Sequence, residues 1–235
     1  MRIFTSMIKR KIKPLLLTKT GFTLIEILIA LALMSLVFSF ALNYNFTSRQ
    51  VLEGEVKKIE RAINYASDES SLRNKVIRLK FKLDDNPQTF SVEFGPDDNF
   101  VLPSKTYPEK STLTESQIAE IEEELKLLDR NFIPITDINE ENLRLDENVQ
   151  ILGIGILEDR KIIFDFNPSI YFYPSGEKDG VIIFLTSNEE IISIVVSPFM
   201  ATIEKIYRTI EYKENDEIDE IKYNTMVSMF EDYLK

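Results

Sequence analysis

The sequence predicts an α+β protein: a long N-terminal helix, apolar in its first half, packed on an antiparallel β-sheet head. Three observations predict it. The run Phe22–Leu42 holds one charge, Glu26, in 21 residues. Apolar residues then return at Leu52, Val56, Ile59, Ile63 and Ala66, spaced 4, 3, 4 and 3, which is one stripe on a helix. From Val76 the apolar period changes to two, and short strand-like segments separated by Gly, Pro, Asn and Asp continue to Thr209.

The first element is the apolar run. As a helix it spans roughly 31 Å, enough to cross a bilayer core of about 30 Å. A carboxylate inside such a span costs about 2.5–3.5 kcal/mol on insertion scales. No Lys, Arg or His follows before Arg49, so a charged partner for Glu26 must come from outside this segment. Ahead of the run, residues 1–21 carry six basic side chains and no acidic one. Removing those six positive charges takes the chain from −11 to −17. This asymmetry predicts that the basic end stays cytoplasmic and the acidic body is translocated. An acidic body also excludes nucleic acid as a partner, which needs a basic surface. The chain has no Cys, hence no disulfide, and no His, the commonest general base and metal ligand.

The junction itself is specific. Gly21-Phe22-Thr23-Leu24-Ile25-Glu26 followed by the apolar run resembles the prepilin peptidase site of type IV pilins and type II secretion pseudopilins. The resemblance implies cleavage between Gly21 and Phe22 and N-methylation of the new Phe22 amine. It also implies that Glu26, fifth in the mature chain, pairs with the N-terminal amine of a neighbouring subunit. Such an amine, with a pKa near 8, would be a cation at the edge of the same apolar segment. The implied partners are the prepilin peptidase and methyltransferase, other pilins or pseudopilins, and an inner-membrane assembly platform. A start at Met7 would leave the mature chain unchanged.

The division along the chain then reads as follows: a prepilin leader over 1–21, a membrane and filament-core helix over 22–42, and an amphipathic continuation over 43–74. A β-rich head follows over 75–209, with a helical insertion at about 103–148, and a helical tail over 210–235. One helix is expected from Leu24 to Arg73, with Asn43–Thr47 as its weakest stretch. The pattern predicts strands at Val76–Leu83 and Thr89–Phe94, with Arg78, Lys80 and Lys82 on a polar face. The acidic turns at Asp84–Pro87 and Gly95–Asn99 lack the spacing of a calcium loop and read as local turns. In the insertion, Thr114-Glu115-Ser116-Gln117 is a capping box, followed by the apolar stripe Ile118, Ile121, Leu125 and Leu128 on an acidic helix. A single helical turn is expected over Asp137–Leu143. Strands follow at Val149–Leu157, Lys161–Phe166, Ser169–Tyr173, Val181–Thr186, Glu190–Ser197 and Met200–Thr209. Pro174–Gly180 reads as a hairpin loop ending in Asp-Gly, and the tail as a helix with an apolar face, either packed back on the sheet, the favoured reading, or a contact for a neighbouring subunit.

Ile170–Gly176, with the strands after it, is similar to the C-terminal half of the H-type pseudopilin domain, which FimT-like minor pilins share. The aromatic–Pro–Ser–Gly turn carries this likeness. It implies a lollipop-shaped minor pseudopilin of a type II secretion system, held in the inner membrane by one span with its C-terminal head in the periplasm. The subunit would assemble into a periplasmic filament that takes part in secretion. A minor type IV pilin is the alternative. Behind both stands a membrane-anchored enzyme or binding protein of the envelope. No catalytic, cofactor or metal residues are expected: without His or Cys, the carboxylates fall in turns and on helix faces with no convergent pattern.

Overall fold

A computed structural model describes residues 23–96, 107–136, 138, 143–187, 190–210 and 217–235, and within 39–48 the backbone alone. Helix α1 runs Leu24–Arg73, the range that the 3.6-residue pattern predicts. The chain forms two compact units, Met1–Tyr44 and Asn45–Lys235.

The second unit is α+β with two antiparallel sheets. The first sheet has the order β3-β2-β1-β6: Ile133–Pro134, Thr89–Phe94, Ile77–Lys82 and Ser169–Phe172. The second has the order β5-β4-β7-β8-β9: Lys161–Ile163, Gln150–Ile156, Val181–Ser187, Glu190–Val196 and Glu204–Thr209. Among its described residues it also holds helices α2, Glu115–Asp129, and α3, Ile218–Leu234, and a short 3-10 turn, Lys110–Thr112.

The apolar stripe of α1 is the organising surface. Leu52, Val56, Ile59, Ile63 and Ala66 are all buried, and their cluster takes in Leu79 and Val92 of the first sheet and Ile154, Ile183 and Ile194 of the second. Each Leu, Val or Ile among them, taken fully out of water, contributes about 1.5–3 kcal/mol. Strand β7 is buried on both faces. Val181, Ile183 and Leu185 face the α1 cluster, while Ile182 and Phe184 face a second cluster with Met226, Met229 and Phe230 of α3. Double burial explains its unbroken apolar sequence. The tail therefore packs back on the second sheet. A bulge between Ile151 and Gly153 lets Ile151 and Ile154, three residues apart, join the same cluster.

Gly155 is required where the tail docks. A Cβ built there would lie 2.5 Å from the Phe230 ring. Gly155→Val is expected to lift α3 off the sheet, since overpacking of this kind costs about 1–3 kcal/mol. Limited proteolysis should then release the tail faster than in wild type while circular dichroism keeps its β-signal.

The structure corrects several sequence expectations. The strands do not form one sheet, and Pro174–Gly180 is not a β6–β7 hairpin loop but a crossover between sheets. The outer edge of β6 is taken by Asp179: its carboxylate accepts from the Tyr171 N–H at 2.9 Å and its own N–H donates to the Tyr171 carbonyl at 3.0 Å. The tight turn is present, closed by Gly176 N–H to the Tyr173 carbonyl at 2.9 Å, with Gly176 at φ +85°. Strand β5 stops at Ile163 instead of Phe166, because Phe166 and Asn167 turn to φ 60° and 50°, outside extended geometry. Strand β9 starts at Glu204 rather than Met200. The insertion has its helix and its Thr114–Gln117 capping box, but it also delivers the unexpected edge strand β3. Most of the turn expected over Asp137–Leu143 and part of the Gly95–Asn99 turn lie outside the described residues.

Arg78 is the sharpest departure. The alternating pattern puts it on a solvent face, yet it is 2% exposed. Helix α2, Phe132 and Tyr171 cover that face. The guanidinium donates from Nε to Glu93 Oε2 at 2.6 Å and from Nη2 to Asp129 Oδ1 at 2.6 Å, and lies 4.0 Å from the Phe132 ring centroid. Lys80 Nζ reaches the other Asp129 oxygen at 2.6 Å. This cluster clasps the end of α2 to the first sheet. The clasp matters because α2 itself has no buried residue.

Candidate processing and assembly site

Gly21 and Phe22 lie outside the described residues, which begin at Thr23. Thr23 is the residue just before the first turn of α1, and Glu26 is in that turn. The Glu26 N–H donates to Thr23 Oγ1 at 3.3 Å. In return Glu26 Oε2 accepts from the Thr23 N–H at 3.4 Å and from its hydroxyl at 3.5 Å. These contacts are long, but the pattern is a reciprocal capping box. An acidic side chain in the first turn also complements the positive end of the helix dipole.

The structure therefore gives Glu26 a neutral partner inside its own segment. The sequence expectation looked only for a cation and missed Thr23. The signal was available, since Thr-x-x-Glu before an apolar run is a helix-start pattern. Among the described residues no Lys or Arg pairs with Glu26. The amide that donates to Glu26 belongs to the Phe22–Thr23 peptide bond, so a cut after Gly21 would leave the box intact.

From Ile27 to Phe38 the side chains beyond the box are apolar, Ser35 apart, and uncovered. Every residue from Leu24 to Phe38 is exposed, with Leu24 at 79% and Phe38 at 57%. A helix with apolar side chains on every face needs an apolar environment, and none of the described residues covers Leu24–Phe38. Among the described residues no helix is long and apolar enough to cross a membrane. The described side chains of the run stop at Phe38, short of Leu42. Also among the described residues, no group of acidic side chains is placed to hold a metal ion.

The turn behind the second resemblance is built into the core. Ile170 and Phe172 are fully buried and Tyr171 nearly so. Tyr173 Oη reaches Asp179 Oδ1 at 3.4 Å, and burial, followed by the Asp179 charge, pushes its phenol well above the ordinary range. These are packing roles.

Comparison with known proteins finds one family model, the prokaryotic N-terminal methylation motif, matching residues 17–42. The chain thus carries a type IV pilin-like N-terminal signal, a feature of structural subunits rather than enzymes. The match covers Gly21, Phe22 and Glu26 and says nothing of the head. No curated protein and no solved structure matches the chain.

Proposed function

We propose that this chain is the precursor of a minor pseudopilin, of H type, in a type II secretion system. The carrying observation is the methylation motif over 17–42, with Glu26 at the start of an exposed apolar helix. In this reading the peptidase cuts between Gly21 and Phe22, and the Phe22 amine is methylated. The helix from Phe22 anchors the subunit in the inner membrane, the head faces the periplasm, and the assembly platform builds subunits into the filament. The Tyr173–Gly176 turn favours the H-type assignment. The motif itself is equally at home in a minor type IV pilin, which is the second reading. A deletion that stops protein secretion but leaves surface pili intact supports the pseudopilin; the converse overturns it.

Processing is tested directly. The mature protein should begin at Phe22 and carry one added methyl group by mass spectrometry. Gly21→Val should block the cut, because the peptidase site needs a residue with almost no side chain there. A shortened band from that variant would show that the site lies elsewhere.

A further inference from the structure

We propose that Phe199 is the anchor by which one copy of this chain docks on a second copy, its ring entering the pocket between α1 and residues Ile138 and Leu143. The contact needs only the head, so it stands whichever of the two readings above holds.

The anchor is a held structure. Phe199 is 80% exposed and Met200 57%, in the loop between β8 and β9. Lys178, itself buried, grips that loop on both sides of the ring. Its N–H donates to the Pro198 carbonyl at 3.1 Å, and its Nζ donates to the Met200 carbonyl at 2.8 Å. Pro198 also lies against Gly180, where a Cβ would meet it at 3.0 Å. Phe199 is therefore fixed through both its neighbours while its ring stays in water, so binding it costs little loss of conformational freedom.

The pocket is the matching half. It has a volume of about 220 Å³ and is lined by Lys58, Arg61, Ala62, Tyr65, Ile138 and Leu143. An apolar cavity of about 150 Å³ holds a benzene ring, so one phenyl group fits. The lining joins apolar side chains to Lys58 and Arg61, cations that favour an aromatic face.

Charge makes the second copy the occupant. The ring stands among acids: Glu177, next to Lys178, and Glu204, at the start of β9, are exposed, and no ion pair holds either among the described residues. The pocket stands among bases. Exposed Arg144 follows Leu143, and Lys58 Nζ donates to the Arg144 carbonyl at 3.0 Å. Glu55 answers Lys58 at 2.9 Å, but the Arg61 guanidinium meets only the Lys57 carbonyl among the described residues. An acid-flanked aromatic and a base-flanked apolar pocket on one chain are complementary, and such rim charges fix register.

The two halves lie on different flanks of α1. Lys205 of β9 pairs with Glu60 at 2.8 Å. Lys58 is two residues earlier, about 200° away round the helix. A contact between different faces is heterologous: each pair keeps one free ring and one free pocket, and so extends into an open array.

The chain has no cysteine, so single substitutions report the contact cleanly. Met200→Cys marks the anchor and Arg144→Cys the pocket. The two full-length chains are purified in detergent, mixed, and treated with a short thiol cross-linker. Linked dimer is expected from the mixture, well above either chain alone. Phe199→Ser in the Met200→Cys chain should cut the yield about tenfold, the scale of one aromatic anchor. Its ring is in water, so circular dichroism should not change. Arg61→Glu in the Arg144→Cys chain should cut it similarly, and Glu177→Lys with Glu204→Lys in the other chain should restore it. An unchanged yield with Phe199→Ser overturns the proposal. So does equal dimer from Met200→Cys alone, which would put anchor on anchor. Absence of linkage in the mixture, as when the ring simply enters the detergent, overturns it too.

Discussion

Glu26→Ala is expected to abolish incorporation into the filament while leaving membrane residence at least as stable as in wild type. The two outcomes separate because the carboxylate has different roles in the two places. In a bilayer, where the proposed reading places it, it would be a cost of about 2.5–3.5 kcal/mol, which the alanine would remove. In the assembled filament it would neutralise the Phe22 amine of an adjacent subunit. Loss of one member of a buried pair leaves the other charge unpaired, a penalty of about 3–5 kcal/mol. The capping box adds a distinction that the sequence expectation lacked. Glu26→Gln can still accept from the Thr23 N–H, so it keeps the helix start and loses only the charge. If charge pairing is the function, Gln should fail as Ala does. If capping is the function, Gln should work. Glu26→Asp should fail in part, since the charge is kept on a shorter arm. Cleavage after Gly21 should continue in all three. Cross-linking to neighbouring subunits in cells reads the result, and wild-type cross-linking of Glu26→Ala would refute the pairing role.

Arg78→Ala should be the most damaging single change in the head. It leaves Glu93, 7% exposed, with its carboxylate buried and without its cation. The expected loss is about 3–5 kcal/mol of stability, read by thermal or denaturant unfolding. Removing both charges as Arg78→Met with Glu93→Leu should recover most of it, because a well-packed apolar pair replaces a buried ion pair at little cost. A double variant as unstable as the single one would show that Arg78 acts through its packing on Phe132 instead. The clasp also has a pH dependence of known sign. Burial alone would raise the Asp129 carboxyl, but hydrogen bonds from Lys80 and Arg78 outweigh it and hold the group below its ordinary value. A depressed folded-state value stabilises above the unfolded value of about 4 and is lost as pH falls through the lower folded one. Helix α2 should therefore stay clasped at neutral pH and become protease-sensitive only in acid.

The parts of this protein that were legible in the sequence are those set by near neighbours. The N-terminal signal is a linear pattern, so Gly21, Phe22 and Glu26 stand out without a fold. Helix α1 is legible because 3.6-residue periodicity marks its buried face from Leu52 to Ala66. The Thr114 box and most strand positions follow from local pattern and turn chemistry. Thr23 was legible too, as the first residue of a Thr-x-x-Glu helix start, but it sits inside the motif that names the processing site and was read only as part of it. The tertiary structure decided what depends on pairing between distant segments. Strand partners are chosen by long-range hydrogen bonds, so the Asp179 carboxylate, by occupying the edge of β6, sends β7 to a second sheet. Period two marks two faces of a strand but does not say what covers each, so Arg78 looks solvated until α2 and Phe132 lie over it. The need for glycine at Gly155 arises only from Phe230, far along the chain, and the pocket beside Arg61 exists only because Ile138 and Leu143 of the insertion lie against α1. Local sequence carries the geometry of an element and the face it prefers; which surface it meets is a property of the whole chain.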